Sequence, residues 1–225
     1  MKKKIAVCFC GLTVLLGLAV AVFMFADRTR ALRFVSQMGP GINLGNTLDA
    51  TGLREYRPDA DDLEYETYWG NPKADGETFL AMKKAGFGTV RIPVTWEDHL
   101  DASYQISEVW MDRVQEVVDM ALAADLYVII DLHHEEWLDL RTERAQEIRT
   151  EFAVVWGQIA ARFRDYDETL LFEAMNEPRL RDSEVEWTSG TEELRAMVNE
   201  LNAVFVETVR SSGGGNRKRY LLICP

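Results

Sequence analysis

The triplet Asn176-Glu177-Pro178 sets a carboxyl beside an amide, at the end of an apolar run. Such a carboxyl can work as a general acid when its surroundings favour the protonated form. Taken alone, the triplet reads as easily as a solvated loop carboxylate. Other groups at similar places tilt the reading toward catalysis. Arg91 stays charged, and its guanidinium can hold a carboxylate in place; a structural ion pair with Glu173 is the alternative, and the two roles are compatible. His133 and His134 can donate hydrogen bonds to a bound hydroxyl. As neighbours on an extended strand they should point to opposite faces, so at most one is expected to enter the site directly. They do not form a helical His-Glu-x-x-His zinc motif, because Leu138 stands where the second histidine would be. No metal and no cofactor are expected. Trp69, Trp96 and Trp137 fall in or near loops, where an exposed ring can stack on a sugar; for Trp69 packing is an equal alternative. Trp110 and Trp156 fall on helix faces and read as core.

These residues need elements to position them. Apolar runs predict five strands, at residues 41–46, 89–94, 126–133, 170–176 and 219–224. The third is apolar on both faces, as in a buried parallel sheet. Helices separate the strands. Asp75 can cap one that stops at Gly86, and Val114, Val117, Val118, Ala121 and Leu122 mark a second. Phe152, Val155, Trp156, Ile159, Ala160 and Phe163 mark a third. Ser189 with Glu192 forms the capping box of a fourth, which carries Leu194, Val198, Leu201 and Phe205. Strand and helix in alternation imply a parallel α/β sheet, either open and doubly wound or part of a (β/α)8 TIM barrel. Gly45-Asn46-Thr47 lacks the spacing of a phosphate-binding loop, which weakens the nucleotide-binding option. In a barrel, Asn46, Arg91, His133, Asn176 and Glu177 would converge at the C-terminal strand ends, where active sites form.

The chain has 225 residues, 37 acidic against 25 basic, with a formal charge of −12 and 47% apolar residues. That composition is globular and excludes a disordered, collagen-like or coiled-coil chain. Its acidity argues against nucleic acid as a partner. Three cysteines, Cys8, Cys10 and Cys224, are too few for a disulfide framework. Lys2, Lys3 and Lys4 precede an apolar run from Ile5 to Ala26, which reads as a signal peptide or an N-terminal membrane anchor. The expected product is therefore secreted, or held at the cell surface with membrane contact only through an uncleaved leader. Residues 27–225 are expected to form the N-terminal part of a catalytic barrel, as a monomer.

Five ordered blocks carry a resemblance. They are Gly41-Ile42-Asn43-Leu44-Gly45-Asn46-Thr47-Leu48-Asp49-Ala50, Trp69-Gly70-Asn71-Pro72, Val90-Arg91-Ile92-Pro93-Val94-Thr95-Trp96, Leu132-His133-His134-Glu135 and Glu173-Ala174-Met175-Asn176-Glu177-Pro178. Together they resemble glycoside hydrolase family 5, the cellulase family, in its bacterial endoglucanase and xyloglucanase branch. The resemblance implies a (β/α)8 barrel and retaining hydrolysis of β-1,4-linked polysaccharide. It implies Glu177 as acid/base, with Arg91, His133 and Asn176 around the cleaved sugar and Asn176 on its 2-hydroxyl. His134 and Asn46 would also line that subsite, and Trp137 and Trp69 would contact substrate. The family's nucleophilic glutamate belongs to a seventh strand, and this chain stops after a fifth. A retaining glycosidase needs two carboxyls about 5–5.5 Å apart. Glu135 and Glu136 follow the wrong strand to supply the second. The expectation is an N-terminal fragment, truncated after about strand five and inactive alone. A non-catalytic carbohydrate-binding remnant is the alternative.

Overall fold

The computed structural model describes residues 29–224, so the leader expected at residues 1–26 lies outside the described residues. The chain divides into Met1–Gly39, whose described part is a helix over residues 29–38, and Pro40–Pro225. Among the described residues no helix is long and apolar enough to cross a membrane.

Within Pro40–Pro225 the strands are β1 (Gly41–Asn43), β2 (Thr89–Ile92), β3 (Tyr127–Asp131), β4 (Leu170–Glu173) and β5 (Leu221–Leu222). They form one sheet in sequence order, and every neighbouring pair is parallel. The main helices between them are α1 (Gly76–Lys84), α2 (Glu108–Ala123), α3 (Ala145–Arg162) and α4 (Glu192–Ser211). This is the connectivity of consecutive βα units of a (β/α)8 barrel; an open doubly wound sheet would reverse its strand order.

The period of two along each strand explains the layering. Val90, Ile92, Val128, Ile130, Leu170 and Phe172 are fully buried and join the helix-packed core. Arg91, Ile129, Asp131, Leu171 and Glu173 alternate with them and point to the other face. Ile129 and Leu171 are buried there, but outside that core. The apolar stripe of α3, Ile148, Phe152, Val155, Trp156 and Ile159, is wholly buried. Trp156 packs on Phe172 and Phe205 with ring centroids 5.4 and 4.5 Å apart, and its Nε1 donates to the Ala174 carbonyl at 3.0 Å. Burial of each such side chain contributes roughly 1.5–3 kcal/mol. Trp110 is equally buried, as its helix position implied.

Helix ends follow the sequence at α1, where Asp75 accepts from the Thr78 N–H at 2.9 Å and Gly86 takes φ 98°. At α4 the cap is Thr191, which accepts from the Leu194 N–H, and not the expected Ser189. Gly190 at φ 66° turns the chain just before the helix, so the chain has not yet entered it at Ser189.

Every strand is shorter than its apolar run. In β2 the Val94 N–H donates to the Asp131 carboxylate at 3.0 Å instead of to a carbonyl, and the ladder ends at Ile92. At β5 the Arg219 N–H is taken by the Gly215 carbonyl in a turn. Beyond the strands, single main-chain bonds keep the ends together: Leu44 to Arg91, His133 to Val94 and Asn176 to Leu132, at 2.8–2.9 Å.

Candidate active site

Three strands each send one charged side chain to the inner face at their C-terminal ends. Asp131 and Glu173 lie side by side in the β3–β4 register, and Arg91 reaches them from β2. Its Nε and one terminal nitrogen each donate to Glu173 at 2.7 Å. The same nitrogen contacts Asp131 at 2.6 Å and the Asn176 amide oxygen at 3.2 Å. Burial opposes the guanidinium's charge, but its bond to Glu173 and the charges of Asp131 and Glu173 outweigh that and raise its pKa. Arg91 is thus a permanent cation that fixes two carboxylates and one amide.

Asp131 is fully buried and does more than pair with Arg91. One of its oxygens meets His133 Nδ1 at 2.7 Å, which leaves His133 Nε2 for another partner. His134 is held through its N–H on the Thr95 hydroxyl, and that hydroxyl donates to the Asp49 carbonyl at 3.0 Å. The two imidazoles meet edge to face with centroids 4.5 Å apart, and Trp69 lies 5.7 Å from His134. Burial, and then the neighbouring His133, lower the His134 pKa and favour its neutral ring.

Glu177 stands at the rim of this cluster. Its φ of 43° is left-handed, which costs a non-glycine residue roughly 1–2 kcal/mol. Strain of this kind is kept where a side chain must be aimed. The carboxylate is well exposed and meets Arg179 at 3.2 Å. His133, His134, Asn176, Glu177 and Arg181 line one concave surface. It offers a carboxyl, an amide and imidazoles to a neutral, hydroxyl-rich ligand, with Trp69 at its edge.

Glu135 also borders that surface, with its side chain buried. Its oxygens accept from the Trp96 N–H and from Trp137 Nε1, both at 2.8 Å. Burial still pushes its pKa up to about 8. Its carboxylate joins the loops after β2 and β3.

The model of the family "Cellulase (glycosyl hydrolase family 5)" matches residues 55–224. This chain belongs to glycosyl hydrolase family 5. Endoglucanase A of Ruminococcus albus is 46% identical over 86% of this chain and 52% of its own length. Endoglucanase A of Clostridium longisporum is 42% identical over 88% of this chain and 38% of its own. A xyloglucan-specific endo-β-1,4-glucanase from a metagenomic library, solved with cellotriose, superposes with a TM-score of 0.83. That structure is 43% identical and is matched over 88% of this chain and 58% of its own. A broad-specificity endoglucanase from Ruminococcus flavefaciens gives a TM-score of 0.79 at 45% identity, over 84% of this chain and 54% of its own. The chain thus spans about half the length of the relatives it matches, and its five strands are part of the family 5 (β/α)8 barrel.

The structure brings Arg91, His133, His134, Asn176 and Glu177 together, with Trp69 beside His134. Asn46 lies exposed at φ 55° in the loop after β1, and that loop is tied to the Trp69 loop through Asn71 and the Gly45 carbonyl at 2.7 Å. Three expectations change. His133 and His134 both line the site, because β3 ends at Asp131 and the period of two no longer applies. Trp137 is buried, bonded to Glu135 and packed edge-on against Tyr104, so it is not an exposed platform. Trp96 is fully buried, with its Nε1 on the Asp131 carbonyl. The residue that sequence reasoning missed is Asp131. Its signal was available: an acid inside an apolar strand, two positions before His133 and therefore on the same face.

Proposed function

We propose that this chain carries the acid/base half of a secreted, retaining endo-β-1,4-glycanase site. The observation that carries the reading is the convergence of Glu177, Asn176, His133 and the Arg91-bound carboxylates at the C-terminal end of one parallel sheet. In this reading Glu177 protonates the leaving glycosidic oxygen and later draws a proton from water. Asn176, its amide oxygen anchored on Arg91, offers its NH2 to the sugar 2-hydroxyl. His133 Nε2 and His134 contact neighbouring hydroxyls, with Asn46 at the cleft's edge. Trp69 stacks on a sugar face. Substrate is a neutral β-glucan, and the cellotriose held by the xyloglucanase neighbour supports that class. The basic N-terminus and its apolar run support export, with the leader cleaved or kept as an anchor.

Within the described residues, three of the other carboxylates at this end are committed. Glu173 and Asp131 are held by Arg91, and Glu135 is enclosed by Trp96 and Trp137. None of these three is free to attack a sugar. In this reading soluble β-glucan incubated with Met1–Pro225 should yield no reducing sugar, while cellotriose binds. Sugar release lost in Glu177→Gln would overturn the half-site reading and keep the acid/base assignment. Release undiminished in Glu177→Gln would overturn that assignment.

A further inference from the structure

Two loops place Asp49 and both site histidines around one point. One ligand atom from each of Asp49, His133 and His134 lies within 4.8 Å of the other two. The His-x-x-x-His spacing of a helical zinc motif is absent, so the constellation exists only through the fold. We propose that Asp49, His133 and His134 form a binding site for a divalent transition-metal ion such as Zn2+, open on the side that faces the sugar cleft.

The donor set is two imidazoles and one carboxylate, which suits Zn2+ with a fourth position left for water or a ligand. Ligands on tetrahedral Zn2+ at bonds of 2.0–2.1 Å stand roughly 3.3 Å apart. Closing from the present spacing takes only small side-chain rotations. The supporting groups are already in place. Asp131 holds His133 Nδ1 at 2.7 Å, which leaves Nε2 as the ligating atom, in the carboxylate–histidine arrangement that orients metal ligands. Asp49 Oδ1 accepts from the Thr47 N–H at 2.7 Å, which fixes the carboxylate and leaves Oδ2 free to bind. The His134 main chain hangs on Thr95, whose hydroxyl also holds the Asp49 carbonyl, so the two ligand loops share one post. Because the ligands border Glu177 and Asn176, bound metal and bound glycan exclude each other. That last clause rests on the glycan reading.

The chain has three histidines, and the third, His99, is buried in another cluster, stacked on Trp110 and paired with Asp62. Imidazole 15N–1H spectra of the purified protein therefore give a direct test. ZnCl2 should shift the His133 and His134 signals and leave those of His99 unchanged, whereas MgCl2 should shift none. By calorimetry, His134→Gln and Asp49→Asn should each weaken Zn2+ binding at least tenfold. The spectra of the unmutated protein carry the test should either variant fold poorly. Unmoved His133 and His134 signals at millimolar ZnCl2, or equal shifts with MgCl2, would overturn the site. Cellotriose titrated into the metal-free protein tests the glycan reading separately. If it binds, it should displace Zn2+, and simultaneous binding would overturn the site's position in the cleft.

Discussion

Two arginines, one partly buried and one fully buried, sit at opposite ends of the same sheet. Arg91 leaves β2 toward the C-terminal end and, among the described residues, bonds only side chains: Glu173, Asp131 and Asn176. Arg219 precedes β5 at the N-terminal end and bonds the carbonyls of Phe163, Tyr166, Asp167 and Leu170 and the side chain of Asn216. It is 1% exposed and covers the Phe172 ring at 4.6 Å. Burial drives its pKa down to about 10, whereas carboxylate partners drive that of Arg91 up. An arginine that collects carbonyls stitches chain segments together. One that holds carboxylates and an amide beside an open cleft prepares a surface for a ligand. The division agrees with barrels in general, where chemistry sits at the C-terminal end and stability at the other.

The comparison breaks most visibly under substitution. Arg219→Leu leaves its carbonyls without a donor and should cost about 3–5 kcal/mol in urea unfolding. Arg91→Lys keeps the charge but loses the paired geometry. It should cost only about 1–2 kcal/mol while weakening cellotriose binding at least tenfold. Equal stability losses with unchanged binding would erase the distinction.

The tryptophans sharpen it. Trp137→Ala empties a buried site and should destabilise by about 3–5 kcal/mol. Trp69, 37% exposed, should cost about 0.5 kcal/mol when changed to alanine, yet weaken cellotriose binding. A Trp69→Ala protein that binds cellotriose normally would return Trp69 to packing.

Much of this division was legible in the sequence. The apolar runs marked all five strands, and the polar residues at their ends marked the site. What the sequence hid is local and three-dimensional. Both histidines face the cleft because a strand stopped two residues early, on a carboxylate that captured the Val94 N–H. Trp137 lies in a loop, yet that loop folds inward over Glu135. Ser189 and Thr191 are both good caps, and only the turn at Gly190 selects between them.

Glu135 gives a pH test of the layer beneath the cleft. Burial raises its folded-state pKa from the ordinary value of 4.5 to about 8, so the folded protein favours the protonated carboxyl. That contribution is fully present below pH 4.5 and is lost as pH rises through about 8. Glu135→Gln should therefore flatten the fall in stability over that range, seen by urea unfolding at both ends. Parallel pH profiles for the two proteins would show that the carboxyl is not enclosed. The smallest effect is expected at Glu177, where exchange to glutamine should alter stability by no more than about 0.5 kcal/mol, because its partner Arg179 is met at the surface. A larger loss in the same unfolding experiment would make Glu177 a structural residue.

The most direct test of the cleft is calorimetric titration of cellotriose into the wild-type protein, Glu177→Gln and Asn176→Ala, each first shown to be folded. A glycan site at the C-terminal strand ends predicts binding by the wild type, comparable binding by Glu177→Gln and at least tenfold weaker binding by Asn176→Ala. Absence of binding by the wild type, or equal binding by Asn176→Ala, would contradict it.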